Sequence, residues 1–114
     1  MKYLVTMSHA FEDTISAILE DAAFYGKVPG DEHYDEYLAR LSKGAHAPAV
    51  KTTKAGTTLE LDEDGMDVLR EEAVYRVEWA SDEASTEDGA ERMRWFGVVQ
   101  SAKAMINRID KVVK

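Results

Sequence analysis

Along this chain the spacing of apolar residues changes several times, and each change predicts an element. Residues 2–8 alternate, with Tyr3, Val5 and Met7 on one side and Leu4 and Thr6 on the other, which predicts a short strand rich in β-formers. From Ser8, a suitable N-cap, Phe11, Ile15, Ile18, Ala22 and Tyr25 recur at helical spacing with Leu19 widening the stripe, and Gly26 predicts the stop. Pro29 and Gly30 break the chain. Asp31 can then cap a second helix with Tyr34, Tyr37, Leu38 and Leu41 on one face before Gly44 ends it, so a short helical hairpin is expected. Pro48 marks a loop. Residues 50–53 and 57–61 flank Lys54-Ala55-Gly56, a three-residue hairpin connection with a glycine available for positive φ.

Asp62 is a good cap for a third helix, and Glu63, Asp64 and Asp67 fall in its first turns, where the positive end of the helix dipole favours carboxylates. Met66, Leu69, Ala73, Val77 and Ala80 form one stripe, while Val68, Tyr75 and Trp79 lie around Glu72 on another side. Such a helix is apolar on two sides, and one of them needs a second partner. Tyr75, Val77 and Trp79 also alternate with Arg76 and Glu78, which makes a strand over 74–79 the competing reading; helix is preferred. Residues 81–89 read as a polar connector in which Ser85-Thr86-Glu87-Asp88 starts the last helix in the manner of a capping box. In that helix Trp95, Val98, Val99, Ala102, Met105, Ile106, Ile109, Val112 and Val113 make one broad face, with Arg94, Arg108 and Lys111 turned away. The expected architecture is a single helix-dominated α+β domain over 1–114, ordered β-α-α-β-β-α-α, with the helices on a small sheet or β-ribbon.

Composition narrows the classes of function. The 114 residues suit one domain, and a hydrophobic share of 45% with 32% charged residues excludes a wholly disordered or fibrous chain. With no cysteine, disulfide frameworks, thiolate nucleophiles and cysteine-held metals are excluded. No apolar run approaches the roughly 18 residues of a membrane span, and acidic residues arrive early after the start, so an intracellular, cytoplasmic protein without membrane contact is expected.

Charge is segregated. Residues 59–91 carry 13 acidic and 2 basic side chains, whereas residues 92–114 carry 1 acidic and 6 basic ones. An anionic third followed by a cationic helix can neutralise itself within the fold, join copies of the chain, or attract a basic partner. Free nucleic acid would be repelled by the acidic third, but proteins that bind nucleic acid are suitable targets, because an array of carboxylates can occupy a phosphate-binding groove.

Candidate chemistry is sparse. Residues 60–71 place oxygen donors at positions 1, 3, 5 and 12 and glycine at position 6 of an EF-hand-like calcium loop. Against this stand Glu60 in place of aspartate, Asp67 at the position that is normally hydrophobic, and a β-ribbon where the entering helix should be; an acidic helix start explains the same residues. His33 and Glu36, with Asp31 and Asp35 nearby, could offer ligands to a divalent metal, though a solvated helix face accounts for them equally. His9 and His46 have no second histidine at ligand spacing, no serine sits in a nucleophile elbow, and no glycines compose a phosphate loop. No cofactor and no catalytic residue is expected.

The aromatic residues can build core, but a domain this small buries only some of them. The expectation is therefore a small acidic, non-enzymatic protein-binding modulator or inhibitor, acting as a nucleic-acid mimic on a basic partner. Its partner-binding residues are Asp62, Glu63, Asp64, Asp67, Glu71, Glu72, Tyr75, Glu78, Trp79, Asp82 and Glu83. The alternatives are a self-associating structural assembly subunit, a homo-oligomer joined through acidic and basic surfaces, and a calcium-binding module.

Overall fold

The computed structural model describes residues 2–25 and 32–113. Its elements are β1 (Tyr3–Met7), α1 (His9–Tyr25), α2 (Glu32–Ala45), β2 (Ala49–Thr53), β3 (Gly56–Leu61), α3 (Glu63–Thr86) and α4 (Gly89–Val113), which is the expected helix-dominated α+β order. The predicted stop at Gly26, the break at Pro29-Gly30 and the cap at Asp31 lie outside the described residues, as do the side chains of Tyr25 and Val113.

The three strands form one antiparallel sheet in the order β1-β3-β2. Val5 pairs with Leu59 and Tyr3 with Leu61, so the alternation read from the sequence turns Val5, Met7, Leu59 and Leu61 into the core. On the other side of the pleat the paired hydroxyls of Thr6 and Thr58 meet at 2.8 Å. The β2–β3 turn is tighter than expected. Gly56 is already the first residue of β3, at φ 141°, and a Cβ there would lie 2.2 Å from the Met7 carbonyl oxygen. β2 is exposed along its whole length and irregular around Val50, a bulge that blunts an open edge.

Local chemistry sets the helix starts. Ser8 Oγ accepts from the Phe11 amide, and Asp62 Oδ1 accepts from the Gly65 amide at 2.7 Å, which holds the Asp62 carboxyl below the usual aspartate range. Gly44 does not end α2 as expected. It sits inside the last turn, buried, where a Cβ would be 3.3 Å from Val68 Cγ1, so its role is the close approach of α2 to α3.

α3 is longer than predicted, since residues 81–86 continue the helix and only Glu87 and Asp88 connect it to α4. Ala73, Val77, Ala80 and Ala84 recur at intervals of four, three and four, and the three alanines are buried where the two long helices pack against each other. Ser85 and Thr86, read as the cap of the last helix, instead donate their hydroxyls to the carbonyls of Asp82 and Glu83 at the end of α3. Val99, Ala102, Met105 and Ile109 of α4 join the core, as its period predicts. Arg108 is the exception on α4. Rather than facing away, it donates from Nη1 to the Thr6 carbonyl at 3.1 Å and so ties the helix to β1.

The second apolar side of α3 finds its partner in α2. The two run antiparallel, with Gly44 beside Val68 and Tyr37 beside Glu72. Val68 is completely buried by this contact, so α2 is the second partner that side of α3 needs. Beyond the start of α2 that side stays open, and there Tyr75 and Trp79 are 54% and 39% exposed.

Candidate protein-binding face of α3

The acidic residues of α3 divide into three sets with different surroundings. At the N-terminal end, Asp62 is occupied as the cap, and the Arg40 guanidinium of α2 bonds Asp64 at 2.7 Å and approaches Glu71 at 3.7 Å. Lys2, Lys43 and His46 line the same hollow, of about 180 Å³. This end of the anionic segment is therefore largely answered by bases of α2 and by Lys2 just before β1, and among the described residues Glu63 and Asp67 lie outside the pairing.

In the middle lies Glu72, which is 2% exposed and cannot serve as a surface carboxylate. Its Oε1 accepts from Arg76 Nε at 2.6 Å, and its Oε2 accepts from the Tyr37 hydroxyl. Burial, then the hydrogen bond and charge of Glu72, push the Tyr37 phenol well above its ordinary range, so that it remains a donor. Arg76 also lies 4.8 Å from the Tyr75 ring centre and 5.0 Å from that of Trp79. Placing Glu72 among the partner-binding residues is thus corrected: it is an internal anchor joining α2 to α3.

Toward the C-terminal end, Glu78, Asp82 and Glu83 form no ion pair among the described residues. At 3.6 residues per turn, Asp64, Asp67, Glu71, Tyr75, Glu78 and Asp82 fall within roughly 80° of the helix circumference. All six are exposed, which makes one outward ridge along α3. Beside its far half, Trp79 meets Trp95 of α4 edge to face, with ring centres 4.9 Å apart.

The same side of α3 is separated from α1 by a groove. α1 packs on α2 and α4 and makes little contact with α3. The groove has two confluent parts that share Ile18 and Arg76. One, of about 450 Å³, is lined by Tyr34, Tyr37, Tyr75, Glu71 and Glu72. The other, of about 480 Å³, runs past Asp13, Asp21, Trp79, Arg94 and Trp95. The sequence signal for it was present in the exposed aromatics but not in α1, whose polar side gave no hint of facing Trp79.

Residues 60–71 do not take the geometry that the calcium-loop alternative needs. Glu60 and Leu61 belong to β3, Asp62 is engaged on a backbone amide, and Gly65 lies inside the first turn of α3 rather than at a loop apex. Among the described residues no three His, Asp or Glu side chains are grouped to hold a metal ion. The histidine geometry is equally specific. His46 Nδ1 lies 3.3 Å from Ser42 Oγ but 2.8 Å from the Ser42 carbonyl oxygen, which can only accept. That nitrogen therefore carries a proton and cannot take one from the serine. His9 Nε2 is likewise committed, to the Thr53 carbonyl at 2.8 Å.

No described helix is long and apolar enough to cross a membrane. Comparison with known protein families, curated proteins and solved structures finds nothing that matches this chain.

Proposed function

We propose that this protein is a small, non-enzymatic modulator or inhibitor that binds a basic partner through the outer side of α3, in the place a nucleic acid would take. The observation that carries this reading is the juxtaposition of Glu78, Asp82 and Glu83, which form no ion pair among the described residues, with the half-exposed rings of Tyr75 and Trp79. Unpaired carboxylates project a field that steers a cationic surface, while partly exposed aromatic rings offer the desolvated contact that holds a complex together. The pairing of Asp64 and Glu71 with Arg40 shifts the centre of the proposed interface toward the α3–α4 end of the molecule.

The two contributions are separable by kinetics. With a partner captured from the native cell, Asp82→Lys with Glu83→Lys should slow association and flatten its salt dependence. Trp79→Ala, once shown to keep its thermal transition, should mainly speed dissociation. Displacement of the partner by a duplex oligonucleotide tests the mimicry directly. A partner that binds the protein and the duplex simultaneously would refute that part of the reading.

A second reading, the self-associating assembly subunit, is favoured by the start of α4. There Met93 is 70% exposed, and Arg92 lies 5.5 Å from the ring centre of Phe96, itself 41% exposed, a cationic and apolar surface complementary in charge to α3. Sedimentation across protein concentration and salt decides between the two. Salt-sensitive growth beyond a dimer, lost in Arg92→Glu, supports assembly.

A further inference from the structure

We infer that the tyrosine-lined part of the groove between α1 and α3 receives an arginine side chain from the basic partner; this deepens the proposed function and rests on it. The groove already displays the chemistry required. Arg76 has its guanidinium against a buried carboxylate, Glu72 at 2.6 Å, and near two ring faces, Tyr75 at 4.8 Å and Trp79 at 5.0 Å. These are the three things a guanidinium gains over an ammonium: an in-plane acceptor, flat surfaces to stack on, and weak hydration to lose.

The tyrosine part leaves room for a second cation beside Arg76. Among the described residues it is lined, over about 450 Å³, by three phenol rings, Tyr34, Tyr37 and Tyr75, with Glu71 beside the Glu72–Arg76 pair, which neutralises itself. In the adjoining part Asp13 and Asp21 face Arg94, and its rings, Trp79 and Trp95, are already engaged edge to face with each other, so the phenol rings favour the tyrosine end as the seat. Glu71 lies 3.7 Å from Arg40, a long and exposed contact that leaves most of its carboxylate open to another donor. The position also suits the ridge: Tyr75 belongs to both, so a basic segment laid along Glu78 and Asp82 can drop one side chain over Tyr75 into the groove.

The test uses an acetylated, amidated Gly-Arg repeat octapeptide and its lysine and citrulline counterparts, titrated calorimetrically into the full chain at 150 mM salt. The arginine peptide is expected to bind about tenfold more tightly than the lysine peptide, the ratio given by one desolvated cation–π contact. The citrulline peptide, which keeps the shape without the charge, should not bind. Tyr75→Leu, and independently Tyr34→Leu should the first variant lose its fold, should bring the arginine peptide to the lysine level. Asp82→Lys with Glu83→Lys should weaken both peptides alike. Equal binding of arginine and lysine peptides, or indifference to both tyrosine substitutions, would overturn the inference while leaving charge-led binding by α3 standing. Dissociation of a pre-existing dimer by the peptide would overturn it in another way, because the occupant of the groove would then be a second copy of the chain.

Discussion

The buried group formed by Tyr37, Glu72 and Arg76 makes a quantitative prediction about what holds α2 on α3. Glu72 is 2% exposed and Arg76 14%, so the pair is close to fully desolvated and its two charges depend on each other. Arg76→Leu leaves a buried carboxylate with only the Tyr37 hydroxyl as donor, and breaking a buried pair in this way costs about 3–5 kcal/mol. The lower end of that range is expected, about 3 kcal/mol, because the Tyr37 bond survives and the edge of the groove admits water. Loss of the stacking of Arg76 on Tyr75 and Trp79 is included in that figure, at about 0.5–1 kcal/mol. Replacing both charges, Glu72→Leu with Arg76→Leu, removes the desolvation cost together with the attraction and should return stability to within about 1 kcal/mol of the natural chain. Tyr37 is only half-buried, so its hydroxyl can turn to water. The assay is urea unfolding of the four members of the cycle, with the slope of each transition checked for constancy. Added salt should change little, since screening acts on exposed charges. A cost below about 1 kcal/mol for Arg76→Leu, or a double variant as unstable as the single one, would refute the reasoning.

Three further outcomes follow from the same structure. Ile109→Asp places a carboxylate with no partner in the core and should abolish the cooperative thermal transition; a normal transition would mean that α4 is peripheral. Because the folded protein raises the Tyr37 phenol above its unfolded value, the folded state retains a proton that the unfolded chain loses above about pH 10. The stabilisation is therefore complete below that pH and falls as pH rises past it, and Tyr37→Phe should reduce the alkaline slope by one proton in urea titrations. Millimolar calcium should leave the Tm where matched ionic strength leaves it, since residues 60–71 divide between a strand and a helix; a saturable rise in Tm, lost in Glu71→Gln, would contradict that geometry.

Local chemistry was enough to predict the elements whose ends and faces are set by neighbours in the chain. Ser8 and Asp62 bond amides three residues ahead, so their capping roles could be read from residue type and spacing. The alternation of β1 and the apolar period of α4 need only a core on one side, and any compact partner would supply it. What tertiary structure decided concerns the contacts between elements remote in sequence. Ala73 and Ala80 could be read as part of the stripe from Met66, but Ala84 alone carries too little hydrophobicity to extend it, and only its burial carries α3 on through a polar stretch that read as a connector. Glu72 looked like any surface carboxylate until α2 brought Tyr37 over it, and Arg108 looked solvated until α4 lay beside β1. The candidate site has the same divided origin. Its carboxylates and aromatic rings are countable in the sequence, but which of them are neutralised by Arg40, which are buried, and which remain to face a partner depends on where α1 and α2 dock. Docking is fixed by summed burial over many distant residues, and no single window of the chain contains that sum.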